Sequence, residues 1–219
     1  MSKRNRNSNR LNRSPAKREP YELILIVCEG SETEPNYFEN LRETENLSSV
    51  NVEITGKSGS DPMSVINYAI RTYEERAKER NPSTLYDKVY CVIDRDSHAN
   101  FDNAINKSRN YKYITLIKSY PSFEYWYICH FLYSRASICK SGNKSAGDNC
   151  VKTLDIHWQS HFNESYTKKN KGSYRNLNKL FDQALVNSKR ALNDAKASNE
   201  MNPSTEVHTL VEHLLQIKK

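Results

Sequence analysis

The sequence predicts an α/β sandwich in which a mainly parallel, four-stranded sheet is flanked by helices and followed by a helical C-terminal extension. Two observations predict this class. Four apolar segments of strand composition alternate with segments of helical period, an alternation typical of parallel sheets. Beyond residue 172, apolar residues recur at helical spacing. The length of 219 residues suits one domain of moderate size with a real hydrophobic core.

Three divisions are predicted along the chain. Residues 1–20 contain Arg, Asn, Ser and Pro and almost nothing that could be buried, so a disordered basic arm is expected there. Residues 21–139 would form the α/β core. Residues 140–219 would form a helical extension packed on the same domain.

The first strand is predicted at residues 21–28, and a helix is predicted within residues 31–45. Thr33 is the expected cap of this helix, and acidic residues in its first turn complement the helix dipole. The second strand is predicted at residues 49–56, where apolar and polar residues alternate as in a half-buried strand.

The second helix is predicted from its start signal. Asp61 is a suitable cap and Pro62 occupies the first helical position, where its missing N–H is harmless. Apolar residues then recur at helical spacing, and the Asn-Pro pair at residues 81–82 is expected to end the helix.

The remaining core elements follow in order. The third strand is predicted at residues 88–94, a helix near 99–109 and the fourth strand at 111–119. A strongly apolar helix is predicted at residues 121–134, with Pro121 at its start.

The extension begins with an irregular segment. Residues 140–172 are polar and lack a clear period. A long amphipathic helix is then predicted from the apolar residues between Leu177 and Leu192, and a second one from those between Val207 and Leu215.

Carboxylates follow two of the predicted strands at the point where each strand ends. Glu29 follows the first strand, and Asp94 and Asp96 end the third. Functional groups of parallel sheets gather at the carboxyl ends of the strands, so these three side chains are expected to converge. Asp94 and Asp96 would leave an extended chain on one face, with Arg95 on the other. Mg²⁺ prefers such hard oxygen ligands, so a shared metal site is predicted, in which Glu29 could complete the site or act as the proton-transferring group.

Glu124 is a further candidate because it interrupts an otherwise apolar helix, where an unpartnered carboxylate is costly. Two interpretations stay open for it. It could act at the metal site, or it could have a buried partner such as a lysine or a helix N-terminus. His157 and His161 have the i, i+4 spacing of a zinc pair, but no third ligand is near them in the sequence.

Basic residues indicate a polyanionic ligand. The net charge is +7, and the basic excess lies in residues 1–20 and 140–200, so the region with the strand-end carboxylates is acidic. Lys168, Lys169 and Lys171, close to Tyr166 and Tyr174, could contact a nucleic-acid backbone and its bases. A solvated lysine loop is the equal alternative. Arg95, beside the acidic pair, is also assigned to nucleic-acid binding.

Cysteine usage and hydropathy bear on location. The five cysteines are odd in number and contain no C-x-x-C pair, so neither a disulfide framework nor a zinc knuckle is expected. No stretch approaches the roughly 20 apolar residues that cross a bilayer. The basic N-terminus is not followed by the apolar segment of a secretory signal. A cytoplasmic protein without membrane contact is expected.

Four segments resemble the successive blocks of the RloB family. They are ILIVCEGSETEPNYF, CVIDRD, SYPSFEYWYICHF and NPSTEVHTLVEHL, and they span residues 24 to about 214. The first and third blocks are the most specific. Members of this family are bacterial proteins with a Toprim-type domain, linked to restriction loci and abortive-infection defence against phage. Tyr120 stands where the family pattern has an Asn before the proline, a departure that leaves the carboxylates untouched.

The resemblance implies a function for the acidic residues. In Toprim domains, a glutamate after the first strand and an Asp-x-Asp after a later one serve Mg²⁺-dependent phosphodiester chemistry. The matching residues here are Glu29, Asp94 and Asp96, and Glu124 matches the acidic residue of the helical block. Relatives are encoded beside an ATPase of the ABC or AAA type, which implies an ATPase partner.

The leading hypothesis is a Mg²⁺-dependent nuclease, with Mn²⁺ as a substitute, that acts on RNA such as tRNA, or on DNA, in antiphage defence. Glu29, Asp94, Asp96 and Glu124 would be its catalytic residues, and an oligomer is compatible with it. The alternative is a non-catalytic, Toprim-like module that binds an ATPase partner or nucleic acid.

Overall fold

The computed structural model describes residues 22–48, 51–79, 81–96 and 98–217. The predicted basic arm, residues 1–20, lies outside the described residues. The same holds for residue 21 of the first predicted strand and for residues 49–50 of the second.

A five-stranded mixed sheet forms the centre of the fold, and its strand order is β2-β1-β3-β4-β5. The strands are β1 Ile24–Cys28, β2 Val52–Thr55, β3 Lys88–Asp94, β4 Ile114–Tyr120 and β5 Ser204–Thr205. The first four strands run parallel to one another, and β5 pairs antiparallel with β4. The expectation of four strands is therefore wrong by one.

The fifth strand is short and polar, which explains why periodicity missed it. Its two residues pair with the end of β4, and the hydroxyl groups of Ser119 and Thr205 lie 3.1 Å apart. Both side chains are fully buried. A two-residue strand of Ser and Thr has no apolar alternation, so only its partner strand reveals it.

Eight α-helices cover the sheet in the described part of the chain. They are α1 Thr33–Thr44, α2 Pro62–Lys78, α3 Phe101–Ser108, α4 Glu124–Phe131, α5 Ala146–Phe162, α6 Ser173–Leu177, α7 Phe181–Ser198 and α8 Val207–Gln216. None of these helices is both long enough and apolar enough to cross a bilayer.

The two faces of the sheet carry separate apolar clusters. Strand β1 is buried on both faces, as expected of a central parallel strand. Ile24 and Ile26 point toward the cluster formed with α1, α4, α5, α7 and α8, whereas Leu25 and Val27 point toward the cluster formed with α2 and α3. The C-terminal helices thus bury the face opposite to α2.

Helix starts were predicted with mixed success. Asp61 caps α2 as predicted, since its carboxylate accepts hydrogen bonds from the N–H groups of Met63 and Ser64. Thr33 is not the cap of α1: it is the first helical residue, and its hydroxyl group is directed to Glu124. Helix α2 ends at Lys78, before the Asn-Pro pair expected to stop it.

The apolar helix α4 is shorter than predicted. Its start moves from Pro121 to Glu124 because β4 continues to Tyr120, so the proline lies in the turn between strand and helix. Its end moves to Phe131, where two amides of α7 satisfy the last carbonyl groups. Asn187 Nδ2 donates to the Cys129 carbonyl at 2.8 Å, and Gln183 Nε2 donates to that of Phe131 at 3.2 Å.

Helix α5 lies in the segment predicted to be irregular. Ser145 and Asp148 form a capping box at its start, each side chain accepting a hydrogen bond from the other residue's N–H. Cys150, Leu154 and Trp158 recur every four residues and form its buried stripe. Three fully buried apolar side chains in 17 residues are a weak periodic signal, and the capping box was the better indicator.

Trp158 provides a test of this packing. It is fully buried between the rings of Tyr127, Phe131, Phe162 and Tyr166. We expect Trp158→Ala to lower the free energy of unfolding by about 3 to 5 kcal/mol through lost burial and a residual cavity.

Ile156 on the same helix is the matched control, because its side chain is 61% exposed. We expect Ile156→Ala to change the free energy of unfolding by less than about 0.5 kcal/mol. Urea unfolding followed by circular dichroism measures both. Equal effects of the two substitutions would contradict the placement of α5.

Candidate active site

A cleft of about 300 Å³ opens at the carboxyl ends of β1 and β3. Its acidic lining residues are Glu29, Glu32, Glu34, Asp94, Asp96, Glu124 and Asp148. The basic side chains among its described lining residues are those of His98 and Lys168. The cleft therefore has a large excess of carboxylates over basic groups, at the sheet edge where the sequence predicted a site.

Glu29 directly follows β1 and is only 7% exposed. Its Oε2 accepts a hydrogen bond from the Asp94 N–H at 2.9 Å, and its Oε1 lies 2.8 Å from His98 Nε2. Burial raises the pKa of Glu29 to about 8, and nearby carboxylates add to the rise while the Asp94 N–H opposes it. The predicted meeting of Glu29 and Asp94 is confirmed, because β1 and β3 are neighbours in the sheet.

Asp94 is the last residue of β3, and its two carboxylate oxygens differ. Oδ2 accepts a hydrogen bond from the Phe123 N–H at 3.0 Å. Oδ1 is buried, and no described residue donates a hydrogen bond to it. Burial, followed by repulsion from Glu34, Glu29 and Glu124, raises the pKa of Asp94 well above its ordinary value. A buried carboxylate oxygen without a donor is costly unless the group is protonated or binds a cation.

Asp96 lines the same cleft but has partners of its own. Its Oδ2 accepts a hydrogen bond from the Ser145 hydroxyl group at 3.1 Å, and its Oδ1 accepts one from the Gly147 N–H at 3.2 Å. These donors belong to the N-terminus of α5, where the helix dipole favours a negative charge. A Cβ atom at Gly147 would lie 2.7 Å from Asp96 Oδ2, so glycine is needed for this approach. Asp96 thus joins the strand end to the extension.

Glu34 is a cleft residue that sequence reasoning treated only as a helix-dipole partner. It lies in the first turn of α1 and is 6% exposed. Burial, followed by repulsion from Glu124, raises the pKa of Glu34 to about 7, against hydrogen bonds from the N–H groups of Gly30 and Glu34 itself. A Cβ atom at Gly30 would lie 2.8 Å from Glu34 Oε2. The Glu-Gly pair after β1 was the available signal, because Gly30 makes room for a second carboxylate.

Glu124 is the first residue of α4 and is 2% exposed. Its Oε2 accepts a hydrogen bond from the Ser122 hydroxyl group at 2.7 Å, and its Oε1 accepts one from that of Thr33 at 3.4 Å. Lys168 Nζ lies 3.3 Å from the same Oε1. Of the two interpretations, the partner interpretation is supported, although its lysine is more than half exposed: Lys168 and two hydroxyl groups compensate this carboxylate.

The basic residues predicted to bind nucleic acid do not all lie in the cleft. Lys168 reaches into the cleft, whereas Lys169 and Lys171 are exposed outside it. Arg95 Nη1 donates to the His98 carbonyl oxygen at 3.0 Å, and its guanidinium group lies 5.3 Å from the centre of the Phe101 ring. Arg95 thus braces the loop after β3, and its role in nucleic-acid binding stays a prediction.

The two tyrosines of the predicted aromatic platform pack against the core to different degrees. Tyr174 is 2% exposed, and its hydroxyl group donates to Glu45 at 2.8 Å. Tyr166 packs on Trp158, with ring centres 5.4 Å apart. Both rings face the core because the loop before α6 folds back onto α1 and α5. Tyr174 is therefore inaccessible to a base, whereas Tyr166 is half-buried and its contact with a base stays a prediction.

The described residues do not form a preformed metal cage. Within residues 22–48, 51–79, 81–96 and 98–217, no three His, Cys, Asp or Glu side chains are arranged to hold one ion together. His157 and His161 instead flank the Phe131 ring. Mg²⁺ commonly needs only one or two carboxylates, with water and substrate completing its shell. Asp94 Oδ1, to which no described residue donates, fits that mode, and a preformed cage is not present in this part of the chain.

Comparison with known proteins identifies one family. The sequence model of the family described as RloB-like protein matches residues 24–214, which is well over half of the chain and includes all five strands. Searches of curated proteins and of solved structures found no match. The resemblance carried by the four sequence blocks is confirmed by this match.

Glu34→Gln tests the charge crowding in the cleft. A carboxyl whose pKa rises to about 7 in the folded state stabilises the fold at low pH, and that contribution is lost as pH increases through 7. Glutamine mimics the protonated acid at every pH. In EDTA, the wild type should lose free energy of unfolding between pH 5.5 and 8, and the glutamine variant should not. We expect the difference in free energy of unfolding to change by about 2 kcal/mol in favour of Glu34→Gln over this range.

Glu43→Gln, at an exposed position of the same helix, is the matched control. Its free energy of unfolding should depend on pH in the same way as that of the wild type. Urea unfolding at a series of pH values gives all three curves. Parallel curves for Glu34→Gln and the wild type would show that Glu34 does not share the crowded cleft.

Proposed function

The chain belongs to the RloB-like protein family, and from that premise we propose that it is a Mg²⁺-dependent nuclease. Its substrate would be the phosphodiester backbone of RNA, such as tRNA, or of DNA, and Mn²⁺ would replace Mg²⁺. The observation that carries the proposal is the buried Oδ1 of Asp94, which has no donor among the described residues and belongs to a residue that lines the acidic cleft.

Asp94 and Glu29 would hold the cation. Both residues stand at the ends of adjacent strands, where Glu29 Oε2 accepts a hydrogen bond from the Asp94 N–H and Asp94 Oδ2 accepts one from the Phe123 N–H. The bound cation would supply positive charge that stabilises the developing charge on the scissile phosphate. Asp96 would support the site from the N-terminus of α5, because both its oxygens already accept hydrogen bonds there.

Glu29 and His98 would handle the proton of the attacking water. Their facing atoms are 2.8 Å apart, so a proton taken from water can be shared between the carboxylate and the imidazole. The water oxygen would form the new bond to phosphorus, and one ester oxygen would leave. Glu124 would act indirectly, by holding Lys168 beside the cleft through their ion pair.

The wider setting follows from the family resemblance. We propose a Toprim-type core, a role as the effector of an antiphage defence system, and an ABC- or AAA-type ATPase partner in the cytoplasm. Positive charge would assist nucleic-acid binding, because residues 1–20 contain seven Lys or Arg and one Glu, and Lys169 and Lys171 are exposed.

A non-catalytic binding module is the second candidate, and one observation favours it. Glu29 and Asp96 already have internal partners, and no three described side chains form a metal cage. In that case the acids would serve the junction between the strand ends and α5. This candidate predicts no specific binding of Mg²⁺ or Mn²⁺ in calorimetry.

Asp94→Asn separates catalysis from folding. The substitution removes the negative charge and keeps the shape, so it also relieves the repulsion from neighbouring carboxylates. We expect a loss of Mg²⁺-dependent cleavage of about 100-fold or more, with thermal stability in EDTA unchanged or increased. The assay uses labelled tRNA, single-stranded RNA and DNA substrates, with and without the neighbouring ATPase.

Asp102→Asn is the matched control, because Asp102 is exposed on α3 outside the cleft. It should retain wild-type cleavage, while Glu29→Gln should lose it. Cleavage that survives in both Asp94→Asn and Glu29→Gln would refute the nuclease assignment to this cleft.

A further inference from the structure

Lys168 stands out because it is an exposed residue that reaches an acidic interior. It lies in the loop between α5 and α6, and its side chain is 54% exposed. Its carbonyl oxygen accepts a hydrogen bond from Asn36 Nδ2 at 3.4 Å, which ties the loop to α1. Its Nζ lies 3.3 Å from Glu124 Oε1. The backbone is anchored beside the cleft while the ammonium group enters it from solvent.

The surrounding carboxylates hold this ammonium group in its charged form. Burial lowers the pKa of Lys168, but attraction to Glu124 and a hydrogen bond with it outweigh burial and raise the pKa overall. Glu34 and Asp94 contribute in the same direction. Among the described lining residues, Lys168 is the single lysine or arginine. Its charge therefore offsets part of the repulsion that the cleft acids exert on one another.

We propose that Lys168 is an internal cation that competes with the divalent cation for the cleft carboxylates. In the cation-free protein its ammonium group compensates Glu124 and, at longer range, Glu34 and Asp94. Binding of a divalent cation makes that charge redundant. The ammonium group then leaves Glu124 for a non-bridging oxygen of the substrate phosphate. This inference rests on the proposed cation site and adds a positioning residue to it.

The geometry indicates that moving the ammonium group from Glu124 to phosphate costs little free energy. Glu124 stays in place when the lysine leaves, because Ser122 and Thr33 still donate hydrogen bonds to its two oxygens. The lysine stem is flexible and more than half exposed, so its head group can move to solvent or phosphate without disturbing the core. The tie to α1 runs through the backbone and does not depend on the head group.

Mn²⁺ binding, measured by electron paramagnetic resonance without substrate, tests the competition. We expect Lys168→Gln to tighten the Mn²⁺ dissociation constant about threefold to tenfold, as expected for removing one half-exposed positive charge near the ion. Lys168→Arg keeps the charge and should remain within about twofold of the wild type. Lys179→Gln removes an exposed lysine outside the cleft and should also leave the constant unchanged.

Nucleic-acid binding by the same variants tests the second half of the proposal. In saturating Mn²⁺, we expect Lys168→Gln to weaken binding of labelled single-stranded RNA, in fluorescence anisotropy, although it binds the cation more tightly. Without divalent cation, the variant and the wild type should bind RNA equally, because the ammonium group is then held by Glu124. Circular dichroism confirms that each variant is folded.

The outcomes separate this inference from the proposed function. If the wild type binds Mn²⁺ in an Asp94-dependent manner and Lys168→Gln does not bind it more tightly, the competition is refuted and the cation site stands. If Lys168→Gln binds Mn²⁺ and the wild type does not, the competition is supported in its strongest form. If neither protein binds Mn²⁺, both the cation site and the competition are refuted.

Discussion

The crowding of carboxylates at one edge of the sheet is the constraint on which the rest of this structure depends. Glu29 and Asp94 are brought together because β1 and β3 are adjacent and parallel, so their carboxyl ends coincide. Glu34 joins them from the first turn of α1. Burying such groups is unfavourable unless each finds a donor or a counter-charge. The donors come from N–H and hydroxyl groups of neighbouring elements and from one histidine and one lysine.

The C-terminal extension completes this compensation. Helix α5 presents Ser145 and the Gly147 N–H to Asp96, and the loop after α5 presents Lys168 to Glu124. The same helices fill the apolar cluster on one face of the sheet. Packing and charge compensation are therefore linked, because a shift of α5 would both open the core and expose Asp96 to the other acids. No described residue donates a hydrogen bond to Asp94 Oδ1. The oxygen that lacks compensation is therefore the one best placed to bind a cation.

The sequence predicted the parts of this arrangement that depend on local signals. Apolar runs that stop at acids located β1, β3, Glu29 and Asp94, and the Asp-Pro start located α2. It missed what depends on tertiary partners. The strand β5 is two polar residues that only β4 makes into a strand, and Asp96 is directed to α5 by contacts 49 and 51 residues away along the chain. Glu34 was overlooked because an acid in a first helical turn has an ordinary explanation.

Crystals of the protein soaked in Mn²⁺ and measured at a wavelength with strong manganese anomalous scattering provide the most direct test. An ion bound to Asp94 should give an anomalous peak in the cleft about 2.2 Å from Oδ1, the oxygen to which no described residue donates. A cleft without a peak, in crystals where Mn²⁺ is bound elsewhere on the protein, would contradict a cation site at the ends of β1 and β3.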